Sequence, residues 1–227
     1  MTQRQKDIII GTVLGDSYLE PNKFGSSIQI KQSNEHKDYV FWLYKELKNL
    51  CSTLPKQRKD NEQWYLRSSS LNELDKLRDL FYPEGKKIIP KDINKILTSP
   101  ISLAVWFMDD GTLDYRPKDH CAFHLCTNCF TKEDTSKLID VLKNNFGIVS
   151  SLHYTLCRGK RHCRIYIGAQ GRDRFIELIT PYILDCFKYK LPQYRKHTPQ
   201  RLAQLFSKRV GQIVGGEANI TFADDLL

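Results

Sequence analysis

The sequence predicts an α+β protein built from two pseudo-symmetric αββαββα repeats within 227 residues. Three observations carry that expectation. Two apolar runs end in a glycine–aspartate pattern, DIIIGTVLGDSYL (7–19) and SLAVWFMDDGTL (102–113), and their anchors Asp16 and Asp110 lie 94 residues apart. Segments of the same type follow each anchor in the same order. Both halves then leave through lysines placed just before a proline, GKKIIP (85–90) and FKYKLP (187–192).

Each element has its own signal. SSIQIKQS (26–33) alternates Ile28 and Ile30 with Gln29 and Lys31, and CAFHLCTN (121–128) alternates Phe123 and Leu125 with His124 and Cys126, as half-buried strands do. Amphipathic helices come next, at 35–51 and 131–147. Thr131 with Asp134 reads as a capping box and Gly147 as a stop. Strand pairs follow at 56–70, turning near Asp60-Asn61, and at 151–168, turning at Gly159-Lys160. Ser70, three residues before Glu73, is expected to cap the helix closing the first half, and DRFIELITPYILDCF closes the second. Ser99 and Pro100 form an N-cap and first helical residue at the boundary. The expected division is therefore 1–97, 98–210 and an acidic tail, 211–227. Each half has one four-stranded antiparallel sheet with helices on one face, so the two should form a single pseudo-symmetric body with the motif helices packed at the central interface.

Charge narrows the partners. The chain carries +9, and the tail from Gly211 holds Glu217, Asp224 and Asp225 with no Lys or Arg, which leaves +12 for the rest. A basic body points to a polyanion, nucleic acid first and an anionic membrane surface second; simple solubility is the bland alternative. No apolar run is long enough for a bilayer span, and IIIGTVLG (8–15) is too short and lacks a cleavage site for a signal peptide. Seven cysteines, an odd number in a chain of this size, fit reduced thiols in an intracellular compartment.

Acids at the ends of both apolar helices are an electrostatic puzzle, because a helix C-terminus is itself partly negative and favours cations. An Asp-Gly turn explains one such acid. Two, at matching places in a repeat, point to a divalent cation held by carboxylates and free helix-end carbonyls, which are hard oxygen ligands. Gly11 and Gly15 remove bulk from one face of the first helix, as expected where two backbones approach closely. Val105 and Asp109 stand at the corresponding places in the second, so the match between the helices is imperfect.

IIGTVLGDS (9–17) and LAVWFMDDG (103–111) resemble the two copies of the LAGLIDADG motif of homing endonucleases, single-chain two-motif type. LTSPISLAVWFMDDGTLDY, CTNCFTKEDTSKLI, RIYIG, LITPYI and YKLP extend the resemblance over roughly residues 7–205. The resemblance implies a monomer whose sheets form a saddle over double-stranded DNA, cutting it across the minor groove with short 3′ overhangs during intron homing. It implies Mg²⁺ held by Asp16 and Asp110 with help from the Gly15 and Asp109 carbonyls, Mn²⁺ substituting and Ca²⁺ binding without cleavage. Asp109, aligned with Gly15, is expected to offer only its backbone. The basic residue at each centre maps onto Lys87 and Lys190, with Lys86 as the competing neighbour. An organelle, or else a prokaryotic cytoplasm, is the implied location. An RNA maturase acting on host intron RNA and a non-catalytic DNA-binding regulator are the rival readings on the same scaffold.

The residue types suit phosphodiester hydrolysis, which needs an activated water, neutralised phosphate charge and a cation near the leaving oxygen. Strand ribbons fit the major groove, so the polar strand positions are the candidate DNA contacts. These are Gln29, Lys31, Lys56, Arg58, Lys59, Arg67, His124, Arg158, Lys160, Arg161 and Arg164. Most such contacts go to phosphate and carry no base information. The two halves differ outside the motifs, so the target should be asymmetric. The pair Cys126 and Cys129, with Cys157 and Cys163 on a hairpin, has a zinc-like look but lacks the spacing of a structural site, and strand alternation accounts for it.

Overall fold

The computed structural model describes residues 1–117, 119–157 and 159–197. The first half contains helix α1 (Gln3–Leu14), strands β1 (Tyr18–Asn22) and β2 (Gly25–Gln32), helix α2 (Lys37–Glu46), strands β3 (Lys56–Gln57) and β4 (Trp64–Arg67), and helix α3 (Asn72–Phe81). A single turn, α4 (Ile93–Ile96), leads into the second half. There α5 (Pro100–Asp110), β5 (Gly111–Arg116), β6 (His120–Cys126), α6 (Lys132–Phe146), β7 (Ser151–Cys157), β8 (Lys160–Ile167) and α7 (Ala169–Ile179) repeat the plan. The sheets are antiparallel with matching orders, β1-β2-β4-β3 and β5-β6-β8-β7.

Local chemistry explains most boundaries. Thr2 and Gln5 form a reciprocal capping box on α1, with each backbone N–H bonded by the other's side chain at 3.2 and 3.0 Å. Pro100 occupies the first turn of α5. Thr131 accepts the Asp134 N–H at 3.1 Å to start α6, and Gly147, at φ 68°, ends it. The Ser70 cap is not formed: Leu71 holds the N-cap position of α3 without a side-chain bond, so the helix starts one residue later. The last helix starts earlier than expected, at Ala169, and stops before the Thr180-Pro181 step, where proline cannot supply an N–H.

The core lies between helices and sheets. Ile28, Ile30 and Leu66 of the first sheet and Phe123, Leu125, Ile165 and Ile167 of the second are buried on the helix side. Phe107, Phe123 and Phe175 meet edge to face or tilted, with ring centres 5.1–5.5 Å apart, tying α5 to sheet and helix of its own half. Strand alternation then leaves the other face of each sheet to polar side chains.

Helices α1 and α5 pack against each other at the centre, and α5 is buried all round from Ile101 to Met108. Their contact pairs equivalent residues of the repeat. A Cβ on Gly11 would stand 2.5 Å from the Ser102 carbonyl oxygen and 2.7 Å from the Val105 Cβ; one on Gly15 would stand 2.5 Å from the Asp109 Cβ. Where a residue meets its own counterpart across a pseudo-twofold, only one of the two can carry a side chain. The mismatch of Gly11 with Val105 and Gly15 with Asp109 is therefore what allows the helices to approach. Ser102 adds a hydrogen bond from its Oγ to the Asp7 carbonyl, at 2.7 Å.

Candidate active site and nucleic-acid interface

The helix crossing delivers three carboxyl groups to one place. Asp16 follows the Gly15 C-cap of α1 and is exposed, while Asp109 and Asp110 end α5 and are half-buried. The Asp109 side chain fills the notch left by Gly15, and its Oδ2 accepts the Asp16 N–H at 3.4 Å. With no side chain at Gly15, the Asp109 carboxyl has room between the helix ends and bonds the neighbouring motif there. Gln32 Nε2 donates to Asp16 Oδ2 at 3.1 Å and Asp109 Oδ1 at 3.3 Å, so one amide bridges both acids.

Burial, then the charge of Asp16, pushes the Asp110 carboxyl up to about 7, against the pull of Lys87 and Lys190. The same two causes hold Asp109 well above the ordinary carboxylate range. Tyr39, wholly buried beside Asp109, has its hydroxyl pKa raised by burial and by that acid's charge; its oxygen makes no hydrogen bond of ordinary geometry.

Neither motif helix has a basic residue in its last turn. Lysines arrive from far along the chain instead. Lys87 Nζ donates to the Gly15 carbonyl at 2.9 Å, and Lys190 Nζ to the Met108 and Phe107 carbonyls at 2.6 and 3.3 Å. Each lysine caps the motif helix of its own half, so the helix ends already hold cations before any metal is considered. Burial lowers both ammonium pKa values, that of Lys190 to about 8. Lys86, its neighbour, is exposed, and it is Lys87 that bonds the end of α1.

The sheet register sorts the other candidates. Gln29 pairs with Arg67, Lys31 with Tyr65, and Lys56 with Tyr65, so Gln29, Lys31, Lys56 and Arg67 share the face opposite the helices. Glu20 lies among them, accepting from Gln29 at 2.6 Å and ion-paired with Arg67. Arg58 and Lys59 are exposed at the β3–β4 turn, with Arg58 paired to Asp60. In the second sheet His124 pairs with Tyr166 and Cys126 with Arg164, and alternation puts Lys160 on the same face. Arg161 has the other parity and lies over the Tyr154 ring at 3.7 Å, so the geometry separates it from Lys160 and Arg164. His124 is on the polar face but only 7% exposed, and burial, then the Arg164 charge, lowers it to about 4. It is a neutral ring and not a cationic contact. Arg158 lies outside the described residues, as does the tail from 211.

Sequence reasoning missed Gln32 and Tyr39. Gln32 had a usable signal: it shares the parity of Ile28 and Ile30, and a polar side chain on the buried face of a strand needs a partner. Tyr39 read as an ordinary core aromatic. The cysteines do not converge on a metal-type cluster among the described residues, and register puts Cys126 and Cys163 on opposite faces. No helix among the described residues is long and apolar enough to cross a membrane.

Comparison with known proteins agrees with this construction. DNA endonuclease I-ChuI of Chlamydomonas applanata is 31% identical over 86% of this chain and 98% of its own length. The cytochrome b mRNA maturase bI2 of Debaryomyces hansenii is 29% identical over 83% of this chain and 73% of its own length. The homing endonuclease I-WcaI, solved bound to its DNA recognition sequence, superposes with a TM-score of 0.73 at 29% identity, covering 84% of this chain and 86% of that one. The family model described as LAGLIDADG DNA endonuclease matches residues 6–175, and the chain belongs to that family.

Proposed function

We propose that the chain is a site-specific, divalent-metal-dependent double-strand DNA endonuclease of the intron-homing kind, active as a monomer on a long asymmetric target and leaving short 3′ overhangs. The carrying observation is the pseudo-twofold pairing of Asp16 with Asp110 at the crossed helix ends, each end capped by a lysine. The strand faces bearing Gln29, Lys31, Lys56 and Arg67, and Lys160 and Arg164, supply the saddle for DNA. The similarity to I-ChuI and to the DNA-bound I-WcaI supports this reading.

The acids suit a hard cation. Asp109 and Asp110 both hold protons more tightly than usual, first because they are buried and then because of the charge of Asp16, and a bound cation would offset both costs. Among the described residues no three His, Cys, Asp or Glu side chains converge closely enough to hold an ion alone. Mg²⁺ suits such a site, because it takes one or two carboxylates and completes its shell with water and substrate phosphate. Asp16 and Asp110 would hold it, helped by the Gly15 and Asp109 carbonyls. When bound it supplies an activated water and neutralises charge on the scissile phosphate. Lys87 and Lys190 offset the charge that builds on the phosphate, and Lys190, at about 8, can release a proton to the leaving oxygen. Gln32 holds Asp16 and Asp109 in a fixed orientation.

The test is selection of cleavable duplexes from a randomised plasmid library, or cleavage of the joined exons of a host gene, with Mg²⁺, Mn²⁺ or EDTA. Linear product is expected with either ion and none with EDTA. Asp16→Asn and Asp110→Asn should bind target in Ca²⁺ yet fail to cut both strands; full cutting by both variants refutes the assignment. The maturase relative favours a second reading, assistance to splicing of a host intron in an organelle. Splicing of that intron's RNA with and without protein tests it.

A further inference from the structure

The two lysines reach their helix ends by different means. Lys87 bonds the Gly15 carbonyl, and among the described residues no aromatic ring lies against it. Its segment is held to the second half through backbone: Lys137 Nζ donates to the Ile89 carbonyl at 3.3 Å, and Asn145 Nδ2 to those of Asn94 and Leu97 at 2.7 and 2.8 Å. Lys190 is set in an aromatic socket. Its Nζ lies 5.0 Å from the Phe187 ring centre and 5.8 Å from that of Phe107. Phe187 is 1% exposed and clasped by two residues of the first half, His36 at 4.4 Å between ring centres and Tyr39 at 5.1 Å edge to face.

The repeat offers nothing equivalent on the other side. His36 immediately precedes α2, as Thr131 precedes α6, and Tyr39 corresponds to Asp134, so neither corresponding position of the second half carries a ring. An aromatic side chain with two torsions, packed between two further rings, has little freedom to move the lysine three residues on. The bonds from Lys190 to two adjacent carbonyls complete the restraint.

We propose that the tilted His36–Phe187 ring contact is a positioning device for Lys190 alone, so that the first half of the molecule fixes the lysine of the second and the two strand cleavages are governed separately. Phe187 and His36 act through Lys190, and no hydrogen bond or ion pair joins either side chain to Asp16 or Asp110 among the described residues, although His36 feels the charge of Asp16. This rests on the endonuclease reading given above.

The experiment follows both strands of a selected target, each labelled at its own end. Lys190→Gln should slow one strand. His36→Ala and Phe187→Leu should slow that same strand by about tenfold, as a misplacement of under an ångström does, with the other strand changed by less than about twofold, so that nicked DNA accumulates. His36→Phe restores a ring and should restore the rate. A readout independent of cutting is the ¹H–¹⁵N resonance of the Lys190 ammonium, protected from exchange by its two carbonyls. It should be present in the wild type and His36→Phe, and lost in His36→Ala and Phe187→Leu. Equal slowing of both strands, slowing only of the strand insensitive to Lys190→Gln, no change, or no rescue by His36→Phe overturns the proposal. A wild type that cuts no library member refutes the endonuclease reading instead, and the ammonium resonance then still decides whether the ring contact fixes Lys190.

Discussion

Asp110→Asn should stabilise the metal-free protein while removing its double-strand cutting. Asp110 is held at about 7 in the fold, mainly by burial and then by Asp16, against 3.8 for an ordinary aspartate. Above pH 7 the carboxylate is ionised in both states, and this gap corresponds to a penalty of about 4 kcal/mol as an upper bound. Water in the cleft and the partner that Lys87 and Lys190 lose on neutralisation reduce it, so a net gain of about 1–2 kcal/mol is expected for the variant. For a chain of this length that is about 3–6 °C in Tm. The sign against pH follows from the raised pKa. Between about 4 and 7 the native state binds more protons than the unfolded one, so wild-type stability falls as pH rises across that window and levels off above it. The advantage of the variant is therefore full at pH 8, partial at pH 6 and small near pH 4. Thermal melts in EDTA at those three values measure it. Added Mg²⁺ or Mn²⁺ should raise the wild type more than the variant and close the gap. No gain at pH 8 in EDTA, or one independent of pH, refutes the account of the acids as an electrostatically strained pair.

Three further outcomes are expected. The cleavage rate should climb with pH through about 7 as Asp110 gives up its proton, and a higher divalent concentration should move the midpoint down, since ion and proton compete for one carboxylate; rate against pH at two ion concentrations reads this, and a flat profile contradicts it. Gly11→Ala places a Cβ 2.5 Å from the Ser102 carbonyl and 2.7 Å from the Val105 Cβ and should cost about 1–3 kcal/mol by overpacking; in a double-mutant cycle by chemical melt, Gly11→Ala with Val105→Gly should cost less than the sum of the two single changes, whereas Gly11→Ala with a distant Val→Gly should be additive. Arg164→Ala should weaken DNA binding and reduce the salt dependence by about one counterion, while Arg161→Ala, on the other face, should leave both nearly unchanged; titrations in Ca²⁺ at several salt concentrations separate the two.

Strand parity, helix starts and the repeat were legible because they rest on neighbours two to four residues apart. Ile28 and Ile30 against Gln29 and Lys31 told which side of β2 faces the helices, and the register obeys it. Thr131 and Gly147 marked the limits of α6 for the same reason. Ser70 misled, because a capping pattern is a weak local preference and Leu71 is instead held by a backbone bond to Ser26.

The paired acids, too, stood in the sequence by themselves, since their spacing from a repeated apolar run needs no tertiary knowledge. How the fold tolerates them did not. Lys87 lies 72 residues from Gly15, and Lys190 lies 82 from Met108; only closure of each half brings these cations to the helix ends. The carboxyl of Asp109 has a place only because Gly15 meets it across the pseudo-twofold, and the socket of Lys190 exists only because the other half supplies His36, just before α2, and Tyr39, within it. Periodicity is written along the chain, whereas charge compensation and the choice of which of two equivalent positions keeps a side chain depend on what lies across the interface.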